Sequence, residues 1–588
     1  MKHKIFFLLL MLLLTDVAMA QQPAKYWVQF RDKNDSPYSI FRPEEFLSPR
    51  ALELRRQHKI LVDDRDIPVN ESYIRQVLAL DDSMRLLTRS KWLNGITVYS
   101  EREDILPRMS ALSCVAFAER TIAMQSAETC LDTVYLFMDV ARPSAASNPP
   151  LWAQGDDYDY GKGDLQVRMN NIHWLHRLGL RGEGVQMMVM DAGFLHADTL
   201  HFFSALRNDH RLLGVRNFVQ PGKSPFTTGS HGTNVLSCIA AWSEGELVGT
   251  APMAMFYLCQ TEDGRTENKV EEDNWVAGLE WADSLGCQVL NSSLGYTKFD
   301  DTTQVRTRDS LTGRVSRASR AATIAASKGM LICNSAGNEG GAKWNYIGCP
   351  ADAEGILSVG AVNTRGQKAM FSSVGPTADG RIKPDVAAMG LGCYVGGING
   401  TVNPSAGTSF SSPLMAGMVA CLWQAFPNKS NDEIMDAVRA SGSQASHPDT
   451  ALGYGIPDFL KAYNYLLQPR PRSFSIEFDA FDTQNDTLFF RVETKDGKPF
   501  DFNRLSVQGV TLGPPSFSKI IVIEKQTIKR TIDLDEMEIL QDTTTSYKLV
   551  LPRLKNKTPY LLTKLEIEYN GEKLHYIVGQ EKLPKKKK

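Results

Sequence analysis

No C-x-x-C pair occurs anywhere in the 588 residues. That removes the usual thiol frame of a zinc ribbon or a dithiol redox site. The nine cysteines are an odd number, so at least one stays unpaired even in an oxidising compartment. Cys238 and Cys421 lie in apolar stretches and read as buried thiols; a single bridge is left open among Cys333, Cys349 and Cys393. An excess of one charge is lacking too. Lys and Arg number 65 against 67 Asp and Glu, a formal net charge of −2, which gives no reason to expect nucleic acid as a partner. No internal repeat is found. Long hydrophobic runs are missing with one exception, residues 5–14, and ten apolar residues are too few to span a bilayer.

That exception carries information by its place. Lys2 and Lys4 precede it, and "VAMA" with small Ala18 and Ala20 follows at 17–20. This is the pattern of a secretory signal peptide over 1–20, cleaved after Ala20. No cysteine follows the cut directly, so no lipid anchor is expected. The product is expected to be exported, without a transmembrane anchor, to the medium, periplasm or cell surface.

Four units follow. Residues 22–122 mix strand patterns ("KYWVQF", "ITVYS", "CVAFAER") with helix starts at Ser48-Pro49 and Asn70, a small α+β unit. Residues 123–156, and the polar stretch on to Lys162, hold "RPSAASNPP" and "QGDDYDYGKGD" and read as an exposed linker. Residues 157–467 alternate apolar strands ("VQMMVMD", "MAMFYLCQ", "CQVLNSS", "MLICNSAG") with helix patterns such as 274–286. Runs of that kind suit parallel strands buried on both faces, so this unit is α/β with a doubly wound, mostly parallel sheet. Residues 472–579 hold short alternating stretches with turns at Asp496-Gly497 and Asn570-Gly571, the pattern of a β-sandwich; a solvated basic tail, 580–588, ends the chain.

The chemistry gathers where strands of such a sheet end. Asp191 ends the first strand in "VMDAGF". His231 stands in "GSHGTNV", at a glycine-rich turn before an apolar helix. Asn338 follows "NSAG". Ser409 stands in "GTSFSSP", before the helix pattern 414–426, with Pro413 expected in its first turn. Singly, each has a plain reading: a turn cap, a helix-start histidine, a left-handed turn residue, an N-cap serine. Together they are a nucleophile, its base, the base's carboxylate and an oxyanion donor.

The order Asp, His, Ser and the motifs "DAGF", "HGTNV", "SAGNEG" and "GTSFSSP" resemble the subtilisin-like serine peptidases, the subtilases. The resemblance implies catalytic roles for Asp191, His231 and Ser409, and an oxyanion-hole amide at Asn338. It implies substrate-binding walls at Ser293, Leu294 and Gly295 and at Ser335, Ala336 and Gly337, with Gly348 at the floor of a roomy S1 pocket. It further implies that 22–122 is a propeptide that assists folding and then inhibits, so a zymogen is expected. Protein or peptide substrates and a monomer are expected as well. One departure is D-A-G, where most subtilases carry Ser or Thr after the aspartate. A polar insertion at 298–320 offers Asp300, Asp301 and Asp309 to a cation, but no spacing matches a calcium loop, so a surface loop is expected and no cofactor is required. Glu339 is read as a solvated rim carboxylate.

Two other readings compete. A lipase or esterase would carry G-x-S-x-G, but Ser411 stands where the second glycine belongs. A binding protein that had lost activity would lack members of the set, and all four are present.

Overall fold

The computed structural model describes residues 24–123, 158–468, 474–482, 487–494, 505–512, 546–550, 560–569 and 571–581. The expected signal peptide, most of the expected linker and residues 582–588 lie outside these.

The N-terminal unit is a four-stranded antiparallel sheet in the order β2-β3-β1-β4: β1 (Ala24–Phe30), β2 (Arg85–Ser90), β3 (Gly95–Ser100) and β4 (Val115–Ala123). Side chains alternate across a strand, and both faces of β1 are used. Tyr26, Val28 and Phe30 join a core under helices α2 (Glu71–Leu78) and α3 (Ile105–Ser110), with Ile74, Val77, Ile105 and Met109. Trp27 points the other way, into a cluster shared with Trp275 and Met188 of the next unit. Helix α1 (Pro49–Gln57) starts as its sequence demands, with Ser48 accepting from Ala51 N and Pro49 in the first turn.

The central unit holds seven parallel strands in the order β11-β10-β9-β8-β5-β7-β6. They are β5 (Gln186–Asp191), β6 (Leu212–Asn217), β7 (Met255–Gln260), β8 (Val289–Ser292), β9 (Leu331–Ser335), β10 (Leu357–Val362) and β11 (Val386–Met389). The near-continuous apolar runs have the reason expected of them. In β5, Met187 and Val189 face one helix layer while Met188 and Met190 face the other. The first layer includes α4 (Ile172–Arg177), α5 (Ser230–Ala240), α8 (Thr408–Ala425) and α9 (Phe459–Leu467); the second holds α6 (Val270–Leu285) and α7 (Arg317–Ser327). Tyr158 and Tyr160, expected in the linker, are buried in this core instead, where Arg181 donates to the Tyr158 hydroxyl at 2.8 Å.

Eight cysteines fall among the described residues, and all are buried and free. The bridge left open among Cys333, Cys349 and Cys393 does not form. Cys333 and Cys393 sit in the main core, Cys349 in a separate cluster with Ala336 and Ile347.

Towards the C-terminus the described strands form two three-stranded antiparallel sheets; the sandwich itself is not established by them. The last strand (Glu572–Glu581) lies along α9, where Asn464 exchanges hydrogen bonds with the Ile577 backbone. Its end contradicts the expected tail at 580. Gln580 is buried, and Glu581 pairs with Arg168 and Arg177 at 2.8 and 3.0 Å. Those cations, with His173, hold its carboxyl down at about 2 although burial alone would raise it. Among the described residues no helix is long and apolar enough to cross a membrane.

Candidate active site

Asp191 is the last residue of β5 and is fully buried. His231 is the second residue of α5, whose first turn runs close beside it. Gly232 makes that approach possible, because a Cβ there would lie 2.2 Å from Gly193 O and 2.8 Å from Asp191 Cβ. Asp191 Oδ1 accepts from His231 Nδ1 at 2.8 Å and from Ala192 N at 2.8 Å. The carboxylate raises the imidazole pKa, with burial opposing it. Bonded at Nδ1, the ring has Nε2 left as its proton acceptor. Asp191 Oδ2 is buried with no protein partner. Ala192, next in D-A-G, carries no hydroxyl that could donate to it.

Ser409 is not an N-cap. The helix begins at Thr408, earlier than expected, and its N-cap, Gly407, has no side chain to cap it. Pro413 is therefore inside the helix rather than in its first turn, and the position has a local logic. Proline has no N–H, so the carbonyl four residues back loses its helical donor. That carbonyl belongs to Ser409, and it accepts from Ser293 Oγ at 2.8 Å instead. In return Ser409 Oγ donates to Ser293 O at 3.4 Å. No hydrogen bond joins Ser409 to His231 here, although the ring of the next residue, Phe410, packs 5.9 Å from the imidazole. Such contacts are often loose without substrate.

Asn338 is oriented by the same helix start. Its Oδ1 accepts from Thr408 N at 2.9 Å and Thr408 Oγ1 at 3.0 Å. This leaves Nδ2 as the outward donor, near Gly407. Ser293, Leu294 and Gly295 continue from β8, and Ser335, Ala336 and Gly337 from the parallel neighbour β9. Asn334 ties the two walls, donating to Leu294 O at 3.2 Å and Ser335 O at 2.9 Å. Gly348 N donates to Ala336 O at 3.3 Å, and a Cβ on Gly348 would meet Thr297 at 3.0 Å, so it lies between the walls. The structure thus gathers all eleven expected site residues at one end of the sheet.

The model of the subtilase family (peptidase S8) matches residues 182–455, and that of the peptidase S8 propeptide domain of Bacteroidota matches 25–130. Subtilisin of Bacillus pumilus is 30% identical over 285 residues, covering 48% of this chain and 90% of that protein. The chain belongs to the subtilase family. Subtilisin NAT of Bacillus subtilis subsp. natto is 30% identical over 273 residues (46% of this chain), and the thermostable alkaline protease of Halalkalibacterium halodurans 28% over 282 residues (47%). The chain spans 63% and 67% of their lengths. Among solved structures, MycP1 from Mycobacterium smegmatis aligns at TM-score 0.40 and 20% identity, covering 52% of this chain and 85% of that one.

Several residues that build this subtilase site were not singled out from sequence. Thr408 and Asn334 orient others; their only signal was adjacency to Ser409 and Ser335. Glu262 accepts from the buried Tyr296 hydroxyl just beyond Gly295, and burial pushes its carboxyl up to about 8. Glu339, read as a solvated rim carboxylate, lies 3.6 Å from Lys298 Nζ, itself well exposed. In the insertion, Asp300 accepts from Glu267 N and Asp301 caps a short turn at Thr303 N. Among the described residues no group of three or more His, Cys, Asp or Glu is placed to hold a metal ion.

Proposed function

We propose that this subtilase is a secreted serine endopeptidase, made as a zymogen, that cleaves peptide bonds through an acyl-enzyme. The observation that carries the reading is the 2.8 Å bond from His231 to the buried Asp191, beside a helix that begins one residue before Ser409. Ser409 Oγ attacks the scissile carbonyl carbon while His231 Nε2 takes its proton. Asp191 stabilises the imidazolium. The oxyanion accepts from Asn338 Nδ2. The C–N bond then breaks, the amine leaves with the proton from His231, and water repeats the sequence to free Ser409. Ser293, Leu294 and Gly295 pair with the substrate backbone opposite Ser335, Ala336 and Gly337, and Gly348 leaves S1 open to large side chains.

The units are taken as signal peptide 1–20, propeptide 22–122, linker 123–156, catalytic unit 157–467 and a β unit 472–579. Ring contacts of Phe474 with Tyr569 (5.2 Å) and Phe478 with Tyr576 (4.8 Å) support a sandwich in the last of these.

Ser409→Ala tests the proposal. The variant folds, since one hydroxyl contributes only about 1 kcal/mol net. Its peptide turnover falls by about six orders of magnitude, it is not labelled by a fluorophosphonate, and it accumulates with the N-terminal unit still attached. Undiminished labelling and turnover would remove Ser409 from the role.

A further inference from the structure

The N-terminal unit touches the catalytic unit in two places, and the two differ in kind. One footprint is the sheet. Ser90 Oγ, Lys91 N and Trp92 N donate to Glu280 of α6 at 2.6, 2.7 and 3.1 Å, and Thr97 Oγ1 donates to Asp273 at 2.9 Å. The other is residues 36–66, which leave the sheet after β1 and return before α2. This arm reaches the turns where α6 enters β8 and α7 enters β9, at the far end of the strands from Asp191.

There the arm completes what those turns lack. A helix ends with carbonyls that have no donor of their own. Ser48 N donates to Ser284 O at 3.0 Å, and Arg50 donates to Gly286 O at 3.2 Å, to Gly184 O at 3.0 Å and to the Gln288 side chain at 2.6 Å. Arg55 binds Asp283 of α6 at 2.8 Å and Asp66 of the arm at 3.0 Å. Lys328, just past α7, binds Asp66 at 2.8 Å and Asp63 at 2.9 Å. Arg55, Asp66, Asp283 and Lys328 are all buried, as is Lys91 of the sheet, which reaches the same Asp283 at 2.9 Å, so each charge depends on the others for solvation. Gln57 extends the contact to Pro427 O beyond α8.

We propose that residues 36–66 are a tether, which keeps the N-terminal unit on the catalytic unit as a second polypeptide after the chain between them is cut. Two joined footprints bind far more tightly than either alone, because the second contact is made at high effective concentration. When the sheet lifts from α6 and α7 it gives up the Lys91–Asp283 pair (2.9 Å), while Arg55 keeps Asp283 paired and the arm stays seated away from the cleft. An active enzyme then carries its N-terminal unit with it. The inference rests on the proposed cut between the two units.

The experiment makes that cut from outside. A recognition sequence for a specific protease is placed within 124–157 of the full-length Ser409→Ala chain, which is then cut and passed over a size-exclusion column at decreasing concentration. The two pieces are expected to elute together down to nanomolar concentration, and Arg50→Ala/Arg55→Ala to separate at least tenfold faster. Arg50→Gln, which keeps the buried ion cluster intact, guards against a double variant that fails to fold and should separate several-fold faster. Near-UV circular dichroism of the uncut chains checks the fold. The tether is overturned if the parent pieces separate at once, or if the arm variants stay bound as long as the parent. Self-cutting plays no part in this assay. A wild-type chain that never cuts itself would overturn the zymogen reading and leave this result standing.

Discussion

Strands β5, β8 and β9 are finished in opposite ways at their two ends. At the carboxyl ends the contacts are mostly between neutral groups, and some are left open. Ser293 and Ser409 bond each other's carbonyls, Thr408 orients Asn338, Asp191 Oδ2 has no protein partner, and Asn338 Nδ2 faces outward. At the other ends Arg50, Arg55, Asp66, Asp283 and Lys328 satisfy one another and the helix carbonyls almost completely. An end that must receive a ligand keeps donors free for it. An end that only holds a neighbour uses them all.

Substitutions at the open end should harm turnover more than folding, and those at the interface the reverse. After Ser409→Ala, the largest effect is expected from Asn338→Ala, with kcat down by about two to three orders of magnitude and little change in KM or Tm. A comparable fall in Tm instead would mean that the amide is structural. Next comes Glu280→Ala, which strands three donors under Trp92 and the β2–β3 turn. The uncut chain should lose about 1–3 kcal/mol, read from its denaturant midpoint, while the mature enzyme's kcat/KM stays put.

Thr408→Val tests the join between the two kinds of contact. It removes one of the two bonds that orient Asn338, for an expected three- to tenfold loss of kcat, the kinetic equivalent of about 0.5–1.5 kcal/mol. Steady-state kinetics beside thermal melts would separate the two effects. The smallest effect concerns pH. Asp191 raises the His231 pKa, so the protonated, inactive imidazole persists to higher pH than an ordinary one. The kcat/KM profile should rise with pH through an inflection above about 6.5. Ala192→Ser, which offers Asp191 Oδ2 a donor, draws off part of that negative charge and should move the inflection down slightly. An inflection unchanged in Asp191→Asn would disconnect the pair altogether.

Much of the site was readable beforehand because its chemistry is written in short local strings. Gly232 must be glycine for the turn that brings His231 to Asp191, and Pro413 must stand four residues after Ser409 for that carbonyl to be free. Helix starts were legible for the same reason at Ser48 and Asn70, where side chain and backbone are neighbours. The start of α8 was misjudged because Gly407 and Thr408 cap nothing through their side chains. The helix is held there by Ser293 and Asn338, 116 and 70 residues distant. The final strand was cut short for a similar reason. Glu581 looked like the edge of a charged tail until Arg168 and Arg177, more than 400 residues earlier, were seen to pair with it.

By itself the sequence determined the parallel α/β sheet, the order of its chemical groups and the family they belong to. Periodicity, turn chemistry and motif spacing act over a few residues, and every copy of the chain carries them. Only the tertiary structure decided that Trp27 packs with Trp275, that Asp66 answers Arg55 and Lys328, and that the N-terminal unit grips both the flank and the far end of the sheet. Apart from Arg55 and Asp66, which are 11 positions apart, those pairings are made between residues hundreds of positions apart. Charged side chains such as these read as solvated surface in any linear pattern, and become an interior only when another unit excludes the water around them.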